Sequence, residues 1–219
     1  MALDPESGGL VNPIYMVQHT GDLFLSNFHL TPLPLTVAYC RGDSPCSITL
    51  AGPMPGEYIV IKPEPGRLWV RFLNLVALLD DRPEWLDDGL YNGVPVIGVG
   101  GSGDVVIYAP GGVASGPGSM DRLIAWRVPM IGSQEQEGSD STSQPGFITS
   151  VYPLPGCIEE GLARAFREWM KKNEKWLWRS DGRRLSILER ITAEGLGVRW
   201  RSVDTTWYTR NAWFDCPPG

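Results

Sequence analysis

Histidine and closely paired cysteines are scarce in this chain. Its 219 residues include two histidines, His19 and His29, and four cysteines, Cys40, Cys46, Cys157 and Cys216, with no Cys-x-x-Cys pair. A structural zinc site needs four clustered Cys or His ligands at tight spacing, so no metal is expected, and no cofactor either. A run of about 18 apolar residues is also missing, so no membrane-spanning helix is expected. Residues 1–13 carry Asp4, Pro5 and Glu6 and no apolar stretch, which reads as a polar arm and not a signal peptide. The expected setting is a reducing cytosol with free thiols. Cys40 and Cys46 could still close a small loop around Gly42–Pro45 in an oxidising space.

Basic residues are few over the first 150 positions. That stretch holds 7 Lys/Arg against 16 Asp/Glu, a balance of −9, whereas residues 151–219 hold 12 against 9, a balance of +3. An acidic main body repels phosphates, so nucleic acid is not its expected ligand and a basic protein partner suits it better. The same charge also keeps a protein soluble with no partner at all. What the chain has in quantity is turn chemistry and tryptophan. Gly and Pro number 26 and 19, which favours many short strands joined by turns over long helices. Six of the nine Trp (Trp169, Trp176, Trp178, Trp200, Trp207, Trp213) fall in the last third.

The pattern along the chain predicts hairpins. Ile14–Leu30 is apolar and broken at Thr20-Gly21-Asp22. Leu33–Tyr39 and Ser47–Leu50 read as further strands. Glu57–Lys62 and Arg67–Leu73, β-branched and aromatic, flank Pro63-Glu64-Pro65-Gly66 and predict a hairpin. Leu73–Leu79 then reads as helical, before an acidic loop over 80–88. Val94–Val99 and Asp104–Ala109 flank Gly100-Gly101-Ser102-Gly103 and predict a second hairpin. Arg122–Val128 is a strand or one helical turn. Residues 132–146 hold almost no apolar side chain and read as a linker or long surface loop. Phe147–Tyr152 is a further strand candidate. In Ile158–Trp178, Leu162, Ala165, Phe166, Trp169, Met170 and Leu177 recur at helical spacing, with Arg164, Arg167, Glu168, Lys171 and Lys172 mostly opposite. A shorter helix is expected over Leu185–Glu194, and closing strands over Val198–Thr209. The expected fold is α+β: a β-rich antiparallel sheet built of hairpins, with one long and one short C-terminal helix packed on it. It forms a single domain, 1–219, in which 132–146 separates an acidic β-rich part (14–131) from a basic helical part (147–219).

Four constellations could carry chemistry. Gly98–Gly103 has the look of a phosphate cradle, but it leads into the strand-like DVVIYA and not into a helix N-terminus, and no Lys-Ser/Thr follows. A hairpin turn is the simpler reading. Arg41-Gly42-Asp43 lies between Cys40 and Cys46, where a disulfide would present it as an integrin-type loop; an ordinary turn has the same composition. Basic and aromatic residues interleave in Trp176-Leu177-Trp178-Arg179 and Arg199-Trp200-Arg201, which suits base stacking but equally suits amphipathic elements with snorkelling arginines. Finally, Trp85 stands among Asp80, Asp81, Glu84, Asp87 and Asp88. An aromatic anchor ringed by acids is a candidate contact surface for a basic protein. A solvated loop with Trp85 tucked into the core is the competing reading.

Two resemblances add to this. Residues 19–30 (HTGDLFLSNFHL) resemble the segment around the catalytic histidine of enterovirus-type chymotrypsin-like cysteine proteinases. That implies a base role for His29, with Asp43 one strand further on. The family's Pro-Gly-Asp-Cys-Gly-Gly nucleophile motif is absent, and Pro155-Gly156-Cys157 opens a helix instead. Tyr58–Leu79 and Val94–Trp126 each run strand, turn, aromatic-bearing strand and short helical stretch. In this they resemble the superfamily that joins bacterial SUKH immunity proteins to betaherpesvirus tegument and regulatory proteins. The resemblance implies a non-enzymatic binder, in the bacterial cytosol or an infected host cell, that neutralises a toxin or host-defence protein. The alternatives are a viral proteinase, active or relic, that uses His29, and an integrin ligand.

Overall fold

The computed structural model describes residues 2–3, 8–28, 31–41, 43–63, 66–79, 83–115, 119–128, 146–177, 184–187 and 189–190. The 132–145 stretch, Val198–Thr209 and half of the predicted short helix (188 and 191–194) lie outside them. The strands are β1 (Ala2–Leu3), β2 (Gly8–Val11), β3 (Met16–Thr20), β4 (Leu23–Phe28), β5 (Leu35–Cys40), β6 (Cys46–Leu50) and β7 (Gly56–Ile61). They continue with β8 (Arg67–Arg71), β9 (Leu75–Leu78), β10 (Trp85–Tyr91), β11 (Val94–Gly100), β12 (Val105–Pro110), β13 (Leu123–Val128) and β14 (Phe147–Thr149). Among the described residues one long helix, α1 (Gly156–Leu177), follows, and Ile187, Glu189 and Arg190 of the predicted short helix are helical. The strands form three sheets, ordered β1-β6-β3, β10-β11-β8-β13-β14 and β4-β5-β2-β9-β12-β7. Every pairing among the described residues is antiparallel.

Residues 1–13, read as a polar arm, supply β1 and the buried β2 inside the six-stranded sheet. Among the described residues the predicted strands exist, but the predicted hairpins do not. β7 pairs with β12, and β8 with β11 and β13, so the chain crosses from one large sheet to the other between them. Arg127 fixes that crossing by donating to the carbonyls of Pro63 and Lys62, both at 2.6 Å, and so ties the exit of β7 to β13. β11 and β12 also part company: the amide of Leu79 donates to the Asp104 carbonyl at 2.8 Å and draws the start of β12 to the end of β9. Likewise β3 pairs with β6 while β4 pairs with β5. Leu73–Leu79 is not a helix. Its first residues complete one 3-10 turn, Phe72–Asn74, and the rest is β9. The fully buried Asn12 holds this corner: its amide donates to the carbonyls of Phe72 (3.1 Å) and Leu75 (2.9 Å), and its carbonyl accepts from Ile14 (3.2 Å).

One apolar cluster runs through both large sheets and into α1, from Leu68, Val70, Ile97 and Val99 to Leu75, Leu78, Val105 and Ile107, and on to Ile158, Leu162 and Phe166. Helix α1 turns the predicted stripe inward: Leu162, Ala165, Phe166 and Trp169 are buried, while Arg164, Arg167, Glu168, Lys171 and Lys172 are exposed. Burial of Phe166 and Trp169 contributes about 2–3 kcal/mol each. No described helix is long and apolar enough to cross a membrane. The free-thiol expectation does not hold. Cys40 and Cys46 are joined in a disulfide, their Cα atoms 5.7 Å apart, and Cys157 is disulfide-bonded as well.

Candidate functional site: an aromatic sheet face beside buried ion pairs

The second half of the segment read as an acidic loop, Trp85–Asp88, opens strand β10, and residues 80–82 lie outside the described residues. The turn after β10 is Asn92-Gly93, with φ of 49° and 82°, the left-handed pair that closes a two-residue hairpin and joins β10 to β11. Alternation along β10 sends Leu86, Asp88 and Leu90 to one face and Trp85, Asp87, Gly89 and Tyr91 to the other.

Asp88 faces inward, fully buried, as does Arg190. Arg190 approaches its carboxylate as a two-pronged fork, Nη1 to Oδ2 at 2.9 Å and Nη2 to Oδ1 at 2.8 Å, with the guanidinium 5.3 Å from the Trp169 ring. Arg184 adds Nη1 to Asp88 Oδ1 at 2.5 Å and Nη2 to Asp87 Oδ1 at 3.1 Å, and donates to the Asp88 carbonyl. Two acids and two arginines thus cancel. Burial works against the Asp88 charge, but Arg190 and Arg184 prevail and hold its carboxyl below the ordinary range. Asp87 pairs with Arg184 and accepts from the Asp88 amide (2.9 Å), which favours its charge less than the two arginines favour that of Asp88. Burial and the adjacent Asp88 push it up to about 6. The segment that supplies the arginines starts as a capping box: Ser186 Oγ accepts from the Glu189 amide (3.3 Å), and Glu189 Oε2 accepts from the Ser186 amide (2.8 Å).

The outer face carries the aromatics. Register places Trp126 opposite Trp69, Trp69 opposite Gly98, and Gly98 opposite Asp87. Trp85 lies along β11 over Gly100 and Gly98; a Cβ on Gly98 would collide with its indole and stand 3.0 Å from the Trp69 ring. The two indoles meet edge to face at 5.2 Å, and the Arg67 guanidinium lies 4.4 Å above Trp85. At the other end of the face Tyr91 and Trp126 meet at 4.7 Å with their planes tilted 41°. Beside them a cavity of about 150 Å³ opens between Arg71, Tyr91, Val94, Val96, Met120 and Trp126. Gly98 and Gly100 are therefore neither a phosphate cradle nor a hairpin turn; they are the strand floor under Trp85.

The predicted contact residues divide. Trp85 is half-buried on the aromatic face and Glu84 is exposed beside it, whereas Asp87 is spent on Arg184 and Asp88 on Arg184 and Arg190. Asp88 is withdrawn from any partner surface. Asp80 and Asp81 lie outside the described residues, as do His29 and Gly42. Asp43 and Arg41 are exposed, with the Arg41 guanidinium 4.5 Å over Phe24. Among the described residues no group of three or more His, Cys, Asp or Glu could hold a metal ion. Sequence reading missed Trp69, Tyr91 and Trp126 as companions of Trp85. The Asn92-Gly93 pair between Tyr91 and Val94 was the signal that would have set β10 against β11.

No family model matches the chain, and no curated protein matches it. Among solved structures it is similar to the crystal structure of protein SPYM3_0169 from Streptococcus pyogenes, at 16% identity over 57% of this chain and 68% of that one, with a TM-score of 0.45.

Proposed function

We propose that this chain is a non-enzymatic protein-binding module that antagonises or neutralises a partner protein, a toxin or a host-defence factor, and that the partner docks on the outer face of the five-stranded sheet around Trp85. The observation that carries this is the gathering of Trp69, Trp85, Trp126 and Tyr91 on one sheet face, all partly exposed, with Arg67 laid on Trp85. Trp, Tyr and Arg dominate interface energetics because each buries a large rigid surface and still offers a polar or charged edge. The sequence-pattern resemblance of Tyr58–Leu79 and Val94–Trp126 to the SUKH superfamily points to the same class of function, although the fold sends its paired strands to different sheets and makes its first helical stretch a strand. The contact surface is aromatic, with Glu84 as its acidic edge, and is not the acid cluster itself. Immobilised wild-type protein is compared with a folded Trp85→Ala/Arg67→Glu variant for capture from the native source. The species bound by the wild type is expected to fall by at least about tenfold on the variant. Equal recovery would remove this face from consideration.

The Cys40–Cys46 disulfide supports a second reading, integrin binding through Arg41-Gly42-Asp43, because it closes the loop that carries exposed Arg41 and Asp43. A closed loop loses less entropy on binding than an open one. Cells should attach to the immobilised protein and fail to attach to Asp43→Glu. Attachment that survives the substitution would end this reading.

A further inference from the structure

We infer that the cavity beside Tyr91 and Trp126 is the seat for an aromatic side chain, a phenylalanine- or tyrosine-type anchor of the partner; this rests on the reading of the outer sheet face as a docking surface. Its size fits one ring: the cavity measures about 150 Å³, and an apolar cavity of that size takes up benzene. Its wall chemistry selects among ligands of that size. The tilted Tyr91–Trp126 pair forms a corner against which a third ring can pack edge-on or offset, as ring quadrupoles favour. Met120 brings a polarisable thioether, which favours contact with ring edges. Arg71 offers a guanidinium whose charge is already answered: its Nε stands 3.5 Å from Glu159 and its Nη1 donates to the Asp121 carbonyl. A guanidinium pinned in this way can stack on a ring. Asp121 also lines the cavity and offsets Arg71, so charge selects neither sign and ring contact sets the preference: a lysine, which has no ring, gains less than a phenylalanine. An aliphatic side chain would fill the space but gain nothing from these three partners beyond burial. Access is direct: Tyr91 and Met120 are 43% and 52% exposed and form the rim, while Val96, 3% exposed, forms the floor.

The test uses the full chain, labelled with ¹⁵N, and three amides as probes: N-acetylphenylalanine amide, N-acetylleucine amide and N-acetyllysine amide. The indole N–H of Trp126, assigned by Trp126→Phe, reports binding. The phenylalanine amide should shift it saturably and bind roughly fivefold tighter than the leucine amide, and the lysine amide should bind no tighter than the leucine amide. Val94→Trp, which fills the cavity, should abolish the response. Tyr91→Ala, at an exposed position that leaves the fold intact, should weaken it by a similar factor. A non-saturable response to phenylalanine amide, equal affinity for leucine or lysine amide, or full affinity in Tyr91→Ala would overturn the inference. Loss of the amide response while capture still depends on Trp85 and Arg67 would remove the anchor seat alone. An intact amide response with capture indifferent to those two residues would keep the seat and remove the docking face.

Discussion

Replacing Asp88 with asparagine is expected to lower the free energy of unfolding at pH 7 by about 3–5 kcal/mol, the cost of stripping a buried charge of its partner. Asparagine keeps the volume, so cavity effects are small. What changes is Arg190, fully buried, whose fork loses the Asp88 carboxylate, and Arg184, which loses one of its two carboxylates and keeps Asp87 and the residue-88 carbonyl. Urea unfolding followed by circular dichroism should show a lower midpoint at an unchanged slope. A loss below about 1 kcal/mol would mean that the arginines reach water or other acceptors and that the pair does not anchor the 184–190 segment. An Asp88→Leu/Arg190→Met protein should recover most of the loss, because apolar side chains of similar volume replace a buried pair at little or no cost. The pH dependence has a definite sign. The Asp88 carboxyl is held below the ordinary range in the fold, so its contribution is present above the unfolded value near 3.8 and disappears as pH falls through its lower folded value. Asp87, pushed up to about 6, acts the other way: between about 4 and 6 the folded chain binds more protons than the unfolded one, and stability declines as pH rises. In Asp88→Asn the first effect should vanish and the second should shrink, because the Asp88 charge is one of the causes that raise Asp87.

Local pattern carried the sequence reading as far as local pattern reaches. The helical stripe Leu162, Ala165, Phe166, Trp169 is buried as its spacing requires, because a 22-residue amphipathic helix has one way to hide an apolar face. Glu57–Lys62, Arg67–Leu73, Val94–Val99 and Asp104–Ala109 hold strands for the same kind of reason, the β preference of Val, Ile, Tyr and Trp. Pairing was not legible. A Pro/Gly-rich connection between two strands is equally compatible with reversal and with a step into another sheet, and what decides here is long-range: Arg127 on the carbonyls of Lys62 and Pro63, and Leu79 on Asp104. The one connection with a specific turn code, Asn92-Gly93, is a true hairpin.

The site divides along the same line. Trp85 and its acids stood out because they cluster in sequence. Their fates differ because a strand sends neighbours to opposite faces, so Asp88 goes in while Trp85 and Asp87 share the other side. The counterpart of the acids lies in the basic stretch 151–219, whereas the charge balance points to a separate basic partner. Nothing local says that Arg184 and Arg190, out of 12 Lys/Arg there, are the ones that meet Asp88. Trp69, Tyr91 and Trp126 come from three strands and join Trp85 only through sheet order.

Gly98→Ala is expected to destabilise the protein by about 1–3 kcal/mol, as overpacking does in a filled site, and to unsettle the aromatic face with it. The added Cβ would occupy space that the Trp85 indole holds and would press on Trp69 at 3.0 Å. Trp85 is half-buried, so the cheaper escape is for the indole to swing off β11. That breaks the 5.2 Å contact with Trp69 and the Arg67 stack at 4.4 Å. Near-ultraviolet circular dichroism should therefore lose tryptophan signal while the far-ultraviolet spectrum stays unchanged, and partner capture should fall as it does for the Trp85→Ala/Arg67→Glu variant. Gly89→Ala is the matched control. It lies on the same face one strand away, and a Cβ there meets only a Val96 methyl at 3.8 Å, an ordinary contact. Its effect should stay within about 0.5 kcal/mol. If Gly98→Ala costs no more than Gly89→Ala and leaves the tryptophan signal in place, then the bare strand at Gly98 is not what positions Trp85, and the aromatic face owes its arrangement to other contacts.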